Sequence, residues 1–89
     1  MNVKQGDLLM AAFNILNNER QDERGDMLPN YERVAQTMTA ISGREFTLTD
    51  VLLMMVIVKL VRELKHPNLD NSIDAIAYLD GLGRARHTN

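Results

Sequence analysis

Thr47-Leu48-Thr49-Asp50-Val51-Leu52-Leu53-Met54-Met55-Val56-Ile57-Val58-Lys59-Leu60-Val61-Arg62-Glu63-Leu64-Lys65 is the stretch whose reading decides the fold. Val51 to Val61 is apolar except for Lys59, and alone such a run also fits a buried strand. The run continues through Lys59, Arg62, Glu63 and Lys65 at helical spacing, and the whole segment is too long for an ordinary strand. Thr47 reads as the cap, and Asp50 as an acid in the first turn, where the helix dipole favours it. The segment is therefore a helix over 48–65. A helix apolar on all sides belongs at the centre of a bundle or in a subunit interface, so this one is expected to be the most buried element.

The neighbouring elements follow outward from it. His66-Pro67-Asn68 is a turn, because the residue before a proline disfavours helical angles. A fourth helix runs over about 70–82, with Ile73, Ile76, Ala77, Leu69 and Leu82 inward and Gly81 and Gly83 fraying its end. Upstream, Tyr31, Val34, Ala35, Met38 and Ile41 mark a helix over 30–42, capped by Asn30 after Pro29 and ended by Ser42-Gly43. Leu9, Ala12, Phe13 and Leu16 lie at i, i+3, i+4 and i+7 and mark a first helix over 7–17, with Asp7 as its cap. The fold class is all-α. Residues 1–89 form one compact four-helix domain with a central apolar third helix, an antiparallel hairpin of the third and fourth helices, and a loose tail over 84–89.

Composition narrows the function. With 89 residues, 12 acids, 10 bases and a net charge of −2, the chain lacks the basic excess of a nucleic-acid binder. The four aromatic residues, Phe13, Tyr31, Phe46 and Tyr78, are too few for a base-stacking platform. The absence of cysteine excludes disulfides, thiol nucleophiles and Cys-ligated metals. The longest unbroken apolar run, Val51 to Val58, is far short of the ~20 residues that span a bilayer. A cytoplasmic protein with no membrane partner is expected. A chain this short buries only about 60% of its unfolded surface, which makes a homo-oligomer the expected state.

The charged residues gather at the turn between helices three and four. Asp70, Asp74 and Tyr78 recur every four residues and form one stripe on helix four. Lys59, Arg62 and His66 form the facing stripe on helix three. With the turn centred near Asn68, Arg62 is level with Asp74, and Lys59 roughly with Tyr78. One reading is an ion pair that locks the hairpin. The other is an anion pocket: Lys59 interrupts an apolar run, and a cation there needs an anionic partner, either Asp74 or a phosphate. Five acids between Glu19 and Glu32 form a second cluster. One or two of them, with Asp70 and Asp74, would suit magnesium, which takes oxygen ligands and retains waters.

The residues Arg20-Gln21-Asp22, Gly25-Asp26, Asn30-Tyr31-Glu32-Arg33-Val34-Ala35 and Gly43-Arg44-Glu45-Phe46-Thr47 carry a family resemblance. It continues through Asp50-Val51, Met54-Met55, Lys59, Arg62, His66-Pro67, Asp70-Asn71, Asp74 and Tyr78. Over roughly residues 15–83 the chain resembles a phage and prophage family of uncharacterised helical proteins. Arg24 and Ala77 stand where that family usually has Tyr and Gly. The resemblance places the chain near phage nucleotide-modification-associated domains and, remotely, near MazG-like nucleotide pyrophosphohydrolases. It implies a phosphate-bearing, nucleotide-type ligand: Lys59 and Arg62 on phosphate, Asp70 and Asp74 orienting them or holding magnesium, and Tyr78 on base or sugar. The MazG-like acid set is incomplete here. The chain has no Glu-x-x-Glu, and its Asp70-x-x-x-Asp74 has a different spacing, so sequestration is expected rather than hydrolysis. Two alternatives stand beside it: a phage modulator that binds a host protein, and a MazG-like magnesium-dependent pyrophosphohydrolase.

Overall fold

The computed structural model describes residues 2–19 and 26–87. Among them are four α-helices: α1 (Asp7–Asn14), α2 (Met27–Ser42), α3 (Leu48–Lys65) and α4 (Leu69–His87). α1 runs on into a π-helical turn, Ile15–Glu19. No strand occurs among the described residues. The architecture is all-α, as the sequence predicts, and α3 and α4 pack against each other most extensively. α1 lies on α4, and α2 lies mainly on α3.

α3 has the predicted bounds, and its start is a reciprocal cap. The Thr47 hydroxyl accepts from the Asp50 N–H at 3.2 Å, and the Asp50 carboxylate accepts from the Thr47 N–H at 2.9 Å. Two of the orphan amides at the helix start are thereby satisfied. α2 also ends as predicted, with Gly43 left-handed at φ 75°.

At the other three starts either the bound or the cap differs from the expectation. α2 begins at Met27 rather than at residue 30, capped by Asp26 and not by Asn30. The Asp26 carboxylate accepts from the Leu28 N–H at 3.0 Å. Pro29 then falls inside the first turn, where a missing N–H breaks no helical hydrogen bond. The cap of α1 is Gly6, left-handed at φ 88°, and not Asp7. Asp7 is the first helical residue, and its carboxylate reaches back to the Lys4 N–H at 2.8 Å. α4 begins one residue early because Asn68 caps it, accepting from the Asp70 N–H at 2.9 Å.

α4 also passes through both glycines and includes residues expected in a loose tail, as far as His87. Gly81 is buried under the start of α2. A β-carbon there would lie 2.9 Å from Met27 Sδ, so this glycine permits close approach and does not fray the helix.

The core is built around Met27, Leu52, Val56, Ala77 and Tyr78. Leu52 is the one large side chain among the described residues that is completely buried. Much of the remaining buried set is small: Ala12, Ala35 and Ala75. Ala77 points inward as predicted, while Ile73, Ile76 and Leu82 are half-buried and Leu69 is exposed. The expected burial of the whole third helix does not occur. Val51, Leu52 and Val56 form a single buried strip, and most of the apolar side chains on its other faces are open to solvent. The reason lies in the packing partners: α2 and α4 cover one side of α3, and among the described residues no other element packs extensively against it. No helix among the described residues is long and apolar enough to cross a membrane.

The two helical glycines of α4 give opposite expectations. A β-carbon at Gly83 meets nothing within 4 Å. Gly83→Ala should therefore raise stability by about 0.5–1 kcal/mol through helix propensity. Gly81→Ala should gain clearly less, or lose, because Met27 has to move from a buried position. Urea melts of the two variants side by side check this, and an equal gain in both would refute the close packing.

Candidate functional site

The turn between α3 and α4 sets the register of the charged stripes. It has three residues, His66, Pro67 and Asn68, and so centres on Pro67. Glu63 holds it from the last turn of α3, accepting from the Asn68 N–H at 2.9 Å and from the Asn71 side-chain amide at 3.3 Å. The centre lies one residue earlier than the sequence reading placed it. That centre sets Asp74 level with Leu60, so Lys59, one residue away, meets it rather than Arg62, with Nζ 2.9 Å from Oδ2. Both side chains are largely buried, 14% and 20% exposed. The lysine stem covers apolar surface while its ammonium reaches the carboxylate.

The other predicted site residues are distributed around this pair. Arg62 is exposed and makes no ion pair among the described residues. Asp70 is exposed in the first turn of α4, where the helix dipole favours a carboxylate. Tyr78 is buried. Its hydroxyl lies 2.9 Å from that of Tyr31, and the two rings meet edge to face with centroids 5.6 Å apart. The hairpin thus brings Lys59 and Asp74 together, sends Tyr78 into the core towards α2, and leaves Arg62 and Asp70 in solvent. No group of three His, Asp or Glu residues converges as a metal site among the described residues. Of the acidic cluster between Glu19 and Glu32, residues 20–25 lie outside the described residues.

A second charged cluster escaped the sequence reading. Arg84 Nη1 lies 3.4 Å from Asp26 Oδ2, and Arg84 Nε donates to Asp80 Oδ2 at 3.1 Å. The trio stands at the edge of a cleft of about 470 Å³ between α1, the start of α2 and α4, with Phe13, Leu16, Met27 and Ile76 among its lining. The legible signal was Asp80 and Arg84 at i, i+4. Gly81 and Gly83, which signal a helix end by local rules, mask it.

The Leu28 N–H holds the Asp26 carboxyl below its ordinary value, and Arg84 adds to this by hydrogen bond and charge, while burial works against it. Partial burial disfavours the Arg84 charge, but the hydrogen bond and charge of Asp26, with Asp80 adding to both, raise it above the ordinary value. A carboxyl held low in the folded state contributes stability above its unfolded value of about 4, and that contribution is lost as pH falls through the folded value. Asp26→Asn keeps a capping oxygen but removes the charge. It should cost under about 1 kcal/mol at pH 7, since the Asp26–Arg84 pair is well exposed and screened. Between pH 7 and an acid pH well below the ordinary carboxylate value of about 4, the difference from the parent should vanish. Urea melts at the two pH values check this, and a difference that persists at low pH would show that the charge is not its source.

Comparison with known proteins places this architecture in a family. Residues 7–86 match the domain of unknown function DUF6378. The chain is also similar to the Gene 55 protein of Mycobacterium phage L5, 34% identical over 73 residues, which cover 80% of this chain and 47% of that protein. The chain thus spans about half the length of this curated relative. No solved structure matches it. The first match takes in all four helices except the last residue of α4, with the turns that register them, and the chain belongs to the DUF6378 family, with a relative of phage type.

Proposed function

We propose that this chain is a phage-type helical module that works by protein association, binding a host protein through exposed apolar helical surface, and that it performs no reaction of its own. The observation that carries this reading is the state of Lys59. Its ammonium is neutralised by Asp74 at 2.9 Å and largely shielded from solvent. A phosphate ligand held by Lys59 and Arg62 would have to displace Asp74 and strand a mostly buried carboxylate, which is costly. Tyr78 would likewise have to leave Tyr31 to reach a base or sugar. The MazG-like alternative asks Asp74 to serve magnesium, and that carboxylate is engaged with Lys59. The apolar surface, by contrast, is already presented: Leu9, Met10 and Phe13 of α1 and Ile41 of α2 are exposed. Apolar surface of this extent marks association sites more often than it marks pockets.

A thermal-shift series with mono-, di- and cyclic nucleotides, with and without magnesium, tests the reading. No shift is expected. A ligand present at a hundred times its dissociation constant adds roughly 2.7 kcal/mol to stability, several degrees for a domain of this size, so binding could not be missed. Urea melts supply the second arm. Lys59→Ala and Asp74→Ala should each cost about 1–3 kcal/mol, below the 3–5 kcal/mol of a fully buried pair. Arg62→Ala should stay within about 0.5 kcal/mol. A nucleotide shift, together with a Lys59→Ala variant as stable as the parent, would replace this reading with the phosphate pocket.

A further inference from the structure

The side of α3 turned away from its buried strip carries a second, outward pattern. Leu53, Ile57, Leu60 and Leu64 are spaced four, three and four residues apart, the repeat with which one helix seats against another. Met54 and Val61 widen the stripe. All six side chains are exposed, from 47% at Leu53 to 88% at Leu64. The stripe is about 17 Å long. Within it there is no charge, since Lys59 is turned to Asp74 and Glu63 to the turn. Arg62, exposed in the last turn, stands about 100° around the helix from Val61 and so off the stripe, while Asp50 in the first turn and Lys65 in the last stand near its ends.

We infer that α3 lies antiparallel against α3 of a second copy of this chain, with Leu53, Ile57, Leu60 and Leu64 as the seam. The inference rests on the association reading above and adds to it a second, self-paired surface, leaving the exposed apolar residues of α1 and α2 to the host protein. Three observations favour a second copy. The first is area. The six side chains expose on the order of 600 Å², at the top of the range for the largest apolar patch on a monomer. That approaches the roughly 800 Å² per partner of a stable interface. The second is self-complementarity. A two-fold axis between Ile57 and Leu60 places Leu53 opposite Leu64 of the second copy and Ile57 opposite its Leu60, so every large residue meets another. The third is charge. The same axis brings Asp50 near Lys65 of the second copy at both ends and opposes the two helix dipoles. A parallel arrangement would set Asp50 against Asp50. A foreign partner would find no charge code along the stripe to recognise, whereas the stripe and its ends match themselves.

Sedimentation equilibrium of the full chain at micromolar concentration should give twice the 10.1 kDa of one chain. Ile57→Glu changes a side chain already half exposed in one copy, so the fold should persist, as circular dichroism would verify. Symmetry places two buried charges in the dimer, and its dissociation constant should rise at least ~100-fold. Orientation is tested by cysteine, which the native chain lacks. Leu53→Cys mixed with Leu64→Cys should oxidise to the mixed disulfide. Leu53→Cys alone should cross-link poorly, because antiparallel pairing holds its two copies about 17 Å apart along the axis, beyond the ~7 Å a disulfide spans. A monomeric parent, a dimer indifferent to Ile57→Glu, or a preferred Leu53–Leu53 cross-link would each overturn the pairing. A monomer that no nucleotide stabilises would leave the association reading standing, while a nucleotide shift would remove that reading whatever the subunit count.

Discussion

The structure depends on the register between α3 and α4, and a three-residue turn fixes it. Pro67 ends one helix, Asn68 caps the next, and Glu63 ties the two together. Because the turn is short, the helices return antiparallel and packed. That register carries the packing of the central cluster, in which Leu52 and Val56 join Ala77 and Tyr78, and it also makes Lys59 face Asp74. A slip of one residue along α4 would turn its side chains by ~100° and remove the small residues from the contact. Tyr78 carries the constraint onward, since its ring and hydroxyl meet Tyr31 of α2.

Much of this was legible where a residue acts through its immediate neighbours. Thr47 and Asp50 announced the start of α3 correctly because a capping box is closed within four residues. Gly43 marked the end of α2 for the same local reason. The misread boundaries share a different cause. Pro29 fits the first turn of a helix as well as the position before it, so it does not fix the start of α2. Gly81 resembles an end signal, but its role is set by Met27, fifty-four positions earlier in the chain. No local rule contains that contact.

The candidate site divides along the same line. The stripes of charge were visible from four-residue spacing alone, and the pairing of the third and fourth helices followed from the shortness of their turn. Which cation meets Asp74 depended on the centre of that turn to within one residue, a precision that helix-end signals lack. The Asp26–Arg84 contact bridges the start of α2 and the last turns of α4, so it could be read only after both boundaries were known.

The apolar run that decides the fold thus serves two purposes. Its inward strip, Val51, Leu52 and Val56, is covered by α2 and α4. Alanines, a glycine and one fully buried leucine make up much of the interior, so the inward strip alone is a thin source of stability for a chain of this length. The outward residues are as apolar as the inward ones, and helix formation does not require them to be. Alanine, lysine or glutamate would serve a solvent-facing helix at least as well. A polar outward face would make a solvated helix, and a fully covered one would make an ordinary bundle core. This helix is neither: its outward leucines repeat with the spacing of a helix-pairing seam, and Asp50 and Lys65 stand near the two ends of the stripe. That arrangement follows most directly if the interior of the working assembly extends beyond one chain.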